Sequence, residues 1–350
     1  MNKVTRRVFL GTSATIAAIT LAELTGVKDT SAQSKQINLY SGRHYNTDKK
    51  LYTDFEKQTG IKVNLVEGDG KQLLERLKNE GRNSKADVFL TADAGNLWQA
   101  QQTGIFTPVN SSILKQKIPA YFRDPQNNWF GFSKRVRVIM YNKSKVNPSQ
   151  LSTYEDLANP KWKGKIVIRS SGNIYNQSMV AWLIAINGQQ KTEQWCRGIV
   201  ANMARPPQGG DRDQIEAVAA GIADLALANT YYLAGYGSSK DPAKKAIFDK
   251  IGVFFPNQKG KGSHVNISGG GVIKTAPNKD GAIKFLEYLV SPGAQRFFAQ
   301  GNNEYPVVSG VELDPILKGF GSFKSDVTNV ANFGPNLANA LKMMDRAGWK

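Results

Sequence analysis

The chain is poor in the residues on which most small-molecule chemistry depends. Of its 350 residues one is cysteine, Cys196, and two are histidine. A single cysteine excludes an internal disulfide, so a packed core must supply the stability. Cys196 itself, set among apolar and aromatic neighbours in Glu193-Gln-Trp-Cys-Arg-Gly, reads as a buried structural thiol. Two histidines are few for metalloenzyme chemistry, and no HExxH, GxSxG or Walker A pattern occurs. Ser112-Ile-Leu-Lys115 fits SxxK, but the companion KTG is missing, so the chain does not read as an enzyme. The longest apolar run, Val8 to Ala22, falls short of the roughly 18 residues of a membrane span. Acidic residues are scarce as well, 28 against 46 Lys and Arg, for a net charge of +18.

The first 32 residues combine a basic start, that short apolar run and small residues around Ser31-Ala32, the composition of an export signal. Thr5-Arg6-Arg7-Val8-Phe9-Leu10 looks like its twin-arginine type, read by the translocase that carries folded cargo. No cysteine lies near the cleavage region, which excludes a lipoprotein anchor. Lys3, Arg6, Arg7 and Lys28 outnumber Glu23 and Asp29 in this prefix, so the mature chain stays near +16. Such a charge points to nucleic acid or to an anionic surface. The basic residues are scattered rather than gathered in a stripe, however, and the protein reads as exported. Nucleic acid is therefore not expected, and the charge is read mainly as surface.

About 318 residues remain, enough for two domains. Ile37-Asn-Leu-Tyr-Ser and Ile61-Lys-Val-Asn-Leu-Val alternate as strands do, and a helix through Leu51 and Phe55 lies between them, stopped at Gly60. Asp87-Val-Phe-Leu-Thr is a third strand. A second block begins at Arg135-Val-Arg-Val-Ile-Met-Tyr and continues through Gly164-Lys-Ile-Val-Ile-Arg to Leu225-Ala-Leu-Ala-Asn, with helices between. Strands and helices alternating at short spacing predict an α/β fold with a largely parallel sheet. Ligand sites in open α/β sheets lie at the carboxyl ends of strands, which places His44-Tyr45, Ser170-Ser171 and Tyr231-Tyr232 at comparable exits, the last pair on a loop. Gly68-Asp-Gly70 is either a phosphate cradle or a plain helix start. No internal repeat or low-complexity segment is evident.

The tyrosines carry the functional reading. A phenol is neutral at pH 7, and ionising it costs about 4 kcal/mol, from roughly three pKa units at about 1.4 kcal/mol each. A highly charged hard cation can supply that energy by direct coordination. Tyr231-Tyr232 beside His44-Tyr45 therefore points to a trivalent, oxygen-seeking metal, and ferric iron is the biological candidate.

In this order, several segments resemble the class II periplasmic substrate-binding proteins, in the ferric-iron-binding branch of ABC importers. They are Tyr40-Ser-Gly-Arg-His-Tyr, Phe55-Glu-Lys-Gln-Thr-Gly-Ile-Lys-Val, Ala86-Asp-Val-Phe-Leu-Thr-Ala-Asp-Ala-Gly, Ala228-Asn-Thr-Tyr-Tyr, His264-Val-Asn-Ile-Ser-Gly-Gly-Gly and the stretch from Ala282 to Gln295. The resemblance spans the mature chain and is most similar to the cyanobacterial Fut-type proteins. It implies two α/β lobes with a hinge and a ligand cleft between them. Lobe one would hold 36–134 plus 265–315 and lobe two 135–264, with the helical segment 316–350 packing on lobe two. It implies Fe(III) as bound cargo, held by His44 and Tyr45 from the first lobe and by Tyr175, Tyr231 and Tyr232 from the second. Four phenolates and a neutral imidazole around Fe(III) leave a net charge of −1, which asks for a nearby cation. Arg135 is the first candidate, with Arg43 and Arg205 behind it. The implied protein is a periplasmic monomer that serves the membrane permease of an ABC importer, after export by the twin-arginine translocase. Two alternatives stay open: the same fold with another cargo (a polyamine, thiamine or an inorganic anion), and a protective iron-sequestering protein.

Overall fold

The computed structural model describes residues 35–43 and 45–350; the expected export signal and His44 lie outside the described residues. Ten strands are present among them: β1 Gln36–Gly42, β2 Lys62–Glu67, β3 Val88–Ala92, β4 Phe106–Thr107, β5 Phe130–Asn142, β6 Ile166–Val167, β7 Leu225–Asn229, β8 Ile251–Phe254, β9 Val265–Ile273 and β10 Tyr305–Pro306. They run in the order β2-β1-β3-β9-β5-β7-β6, with β4 on β9 and with β8 and β10 on β5.

Two half-sheets share the 13-residue strand β5. From Phe130 to Val136 it pairs with β9, and from Arg137 to Tyr141 it pairs with β7. Each half-sheet with its helices forms one lobe of an α/β fold, and residues 35–350 pack as one compact unit. The expectation of a largely parallel sheet is corrected. Only β1–β2, β1–β3 and β6–β7 are parallel, and every other ladder among the described residues is antiparallel. A parallel neighbour needs a crossover, usually helical, whereas β5 and β9 lie at the centre as an antiparallel pair.

Local chemistry explains the first elements. In the helix Asp48–Thr59, Leu51, Tyr52 and Phe55 share the buried face, and Gly60 ends it at φ 70°, where glycine carries no Cβ penalty. Asp69 caps the helix Gly70–Glu80 by accepting from the amides of Lys71 and Gln72, so the Gly68-Asp-Gly70 turn behaves as a helix start. In β9, a Cβ on Gly269, Gly270 or Gly271 would stand 2.2–2.4 Å from a carbonyl oxygen of a neighbouring strand or turn. That crowding accounts for the glycine triplet. The helix Leu337–Arg346 packs on the helices Ile174–Asn187 and Gln189–Asn202, and the 3-10 turn Val330–Asn336 touches both Ile174–Asn187 and Ala94–Gln102. Cys196 is fully buried, and burial pushes its thiol up to about 12.

Candidate metal centre

Four tyrosines from three separate strand exits meet at one point. Tyr45 follows β1 in the first half-sheet. Tyr175 lies in the first turn of the helix Ile174–Asn187, after β6. Tyr231 and Tyr232 follow β7, and they occupy the first turn of the helix Thr230–Gly237 rather than the expected loop. The first turn of a helix points its positive dipole end at these side chains, which favours the anionic phenolate.

The Tyr231 hydroxyl donates to the Tyr175 hydroxyl at 3.4 Å. The Tyr231 ring stands edge-on to Tyr45 at 5.8 Å between centroids and lies 4.2 Å from the ring of Tyr232. The Tyr45–Tyr231 contact joins residues of opposite half-sheets. Burial pushes the phenols of Tyr45, Tyr175 and Tyr231 well above their ordinary range. Neighbouring anions and phenols add to this, and the Arg135 guanidinium opposes it at all three. Without a cation to compensate, these groups stay protonated.

Arg135 is 1% exposed, its guanidinium carbon 5.1 Å from the Tyr175 ring centre and its Nη2 3.4 Å from Asp93. Arg43 lies 4.8 Å over the Tyr45 ring and is paired with Asp48 at 2.6 Å and Glu304 at 3.0 Å. Glu304 also accepts from the hydroxyls of Ser133 and Ser268. Burial raises its carboxyl, but Arg43, Arg135 and the Ser133 hydrogen bond outweigh it and hold the group below the usual carboxylate range. Arg205, the third expected cation, stands elsewhere: it bonds Gln214 at 3.3 Å and lines a surface groove with Pro206 and Pro207.

Two arginines that sequence reasoning passed over take its place. Arg169 sits 5.5 Å from the Tyr175 ring centre, and Arg212 sits 4.9 Å from that of Tyr232. Arg169 closes the predicted strand from Gly164, so its position at a strand exit was the available signal. Arg212 follows Asp211, a fully buried carboxylate that accepts from Arg137 at 3.0 Å and from the amide of Asn229 at 3.0 Å. Asp211 thereby anchors the exit of β7 and the turn that carries the tyrosine pair.

Among the described residues no group of three or more His, Cys, Asp or Glu side chains could hold a metal ion. His264, the second histidine of the chain, is buried between Trp182 and Phe333. The donors that converge are hard phenolic oxygens, with the cationic surroundings that several phenolates require. A surface cavity of about 880 Å³ is lined by Leu77, Arg82, Ile105 and Ile273 among others and includes none of the tyrosines.

The profile of the family described as bacterial extracellular solute-binding protein matches residues 50–326. The chain is 54% identical to iron uptake protein A1 of Synechocystis, over the whole of both chains. It is 28% identical to the major ferric iron-binding protein of Neisseria meningitidis, over 90% of this chain and 93% of the other. A solved structure of the Trichodesmium protein IdiA (FutA), in complex with iron and citrate, superposes with a TM-score of 0.88 at 64% identity. It covers 90% of this chain and 100% of that one. The chain thus belongs to the bacterial extracellular solute-binding protein family, in the branch that contains these iron uptake proteins.

Proposed function

We propose that this protein captures Fe(III) through the phenolates of Tyr45, Tyr175, Tyr231 and Tyr232, with His44 beside them, and delivers it to the membrane permease of an ABC importer. The observation that carries the reading is the meeting of four tyrosines from both half-sheets beneath Arg135. Lobe one is taken as 36–134 with 265–315 and lobe two as 135–264, with 316–350 packed mainly against the second. The open lobes present Tyr45 on one side and the Tyr231-Tyr232 pair on the other. Cargo binding displaces the phenol protons, and closure excludes water and shifts the population to the closed state. Arg135, Arg169 and Arg43 lower the cost of the resulting negative charge. The protein works as a periplasmic monomer, exported through the twin-arginine translocase by way of Arg6-Arg7. No covalent step is involved.

A visible spectrum of the mature protein titrated with chelated Fe(III) tests the proposal, alongside a Tyr231→Phe, Tyr232→Phe double variant. The expected result is a saturable phenolate-to-iron charge-transfer band at one iron per chain in the parent, lost in the variant. A folded parent with no band removes the phenolate centre and leaves the other cargo classes. Uptake that persists unchanged in a strain lacking the protein would turn the role towards protection rather than delivery.

A further inference from the structure

Asp93 is a fully buried carboxylate at the end of β3 that lies beside the tyrosine cluster without belonging to it. Its first oxygen, Oδ1, accepts from the amide of Gly95 at 2.8 Å. The second, Oδ2, accepts from Asn266 Nδ2 at 2.9 Å and from Arg135 Nη2 at 3.4 Å. Arg135 and Asn266 are a cross-strand pair of β5 and β9, next to the point where β5 passes from one half-sheet to the other. The helix Ala94–Gln102, β9 and the crossing strand β5 thus fix one carboxylate. They hold it at φ 87°, a left-handed conformation that an aspartate adopts only when its surroundings over-determine it.

The remaining partner comes from the opposite side. Ser178, also fully buried, donates its hydroxyl to Asp93 Oδ1. It lies on the helix Ile174–Asn187 three residues after Tyr175, so the two share a face. The approach is close: a Cβ on Gly95 would stand 3.0 Å from Ser178 Oγ and 3.1 Å from Ile174 Cδ1. A hydrogen bond to a buried charged acceptor is the strong kind, and separating the partners leaves that acceptor partly unsatisfied.

We propose that the Asp93–Ser178 hydrogen bond is a latch between the lobes, which sets how fast the cargo leaves without itself touching the cargo. The latch rests on the ferric reading for the identity of that cargo. Asp93 and Ser178 are positioning residues: Asp93 holds the tyrosine-bearing helix against the first lobe, and Arg135 links the same carboxylate to the Tyr175 ring.

The test is stopped-flow release of iron into excess chelator, followed by the charge-transfer band, for the parent, Ser178→Ala and Gly95→Ala. Small-angle X-ray scattering of each ligand-free protein accompanies it. Ser178→Ala removes only the latch donor, and Gly95→Ala pries the same contact apart by volume, so either variant suffices if the other misfolds. Release is expected to speed up by roughly tenfold or more. The band position, the one-iron stoichiometry and the loading rate should stay as in the parent, and the ligand-free radius of gyration should rise, because the latch also holds a share of the unloaded protein in the closed state. Parent-like release with an unchanged radius overturns the latch. A shifted band also overturns it, because Ser178 would then act on the ligand shell itself. If the parent shows no band, the ferric reading fails, and the scattering arm still decides whether the contact holds the lobes together.

Discussion

At the scale of single residues, the chemistry turns on phenols that prefer to stay neutral. Burial lifts Tyr45, Tyr175 and Tyr231 above their ordinary range, so without the metal these three phenols keep their protons throughout the neutral region. Loading must expel them, and protons therefore compete with the metal. The sign follows: affinity falls as pH falls, by about a factor of ten per pH unit for each proton released. Equilibrium competition against a chelator of known proton dependence, from pH 8 to pH 5, should show a steep decline. An affinity that stays flat across that range contradicts phenolate ligation. The arginines shape the same balance from their fixed places. Arg43 and Arg135 each have a buried carboxylate partner, so they remain charged whether or not the centre is loaded.

At the scale of elements, the segment near the C-terminus decides how the helix after Asp93 is held. In the 3-10 turn Val330–Asn336, Gly334 packs so tightly on the helix Ala94–Gln102 that a Cβ would overlap the indole of Trp98 at 1.9 Å. Gly334→Ala is therefore expected to destabilise the protein by about 2 kcal/mol, the usual scale of overpacking. The thermal midpoint, followed by circular dichroism, should drop by several degrees. An unchanged midpoint would mean that this turn does not bear on Trp98. The same turn also packs on the helix Ile174–Asn187, so it braces both helices that meet at Gly95 and Ser178.

At the scale of the whole molecule, β5 and the start of β9 are where the two halves join, and His264 sits there. Its carbonyl accepts from the amide of Arg137 at 3.3 Å, and its amide donates to the Tyr154 hydroxyl at 3.1 Å. The imidazole is 1% exposed, and its Nδ1 is buried without a hydrogen-bond partner. Burial, then Arg137 and Arg135, lower its pKa to about 3. Above pH 6.5 the group is neutral in both the folded and unfolded states and adds no pH dependence. Below that the unfolded chain takes up a proton that the folded protein refuses, so stability is lost as pH falls from about 6.5 towards 3. Urea unfolding at stepped pH should show a shallower loss for His264→Phe than for the parent, by up to about 1.4 kcal/mol per pH unit. Phenylalanine suits the site because Trp182 and Phe333 already flank it. Coincident slopes would refute a neutral buried imidazole.

What the sequence determined by itself was local. Alternation marked β1 and β2, and a lone cysteine among apolar neighbours marked a buried thiol. The cost of ionising a phenol marked the Tyr231-Tyr232 pair as chemically meaningful, and the resemblance added Tyr175. Each of these depends on neighbours within a few residues or on a whole-family pattern. The tertiary structure decided the direction of the central strands, the helical seat of the tyrosine pair, and the choice of Arg169 and Arg212 in place of Arg205. It also brought Arg43 to Glu304 across 261 positions and Asp93 to Ser178 across 85. Such pairs have no signature in their flanking residues. They exist because one long strand crosses from one half-sheet to the other, and burial then makes each charge depend on whichever opposite charge the fold brings within reach.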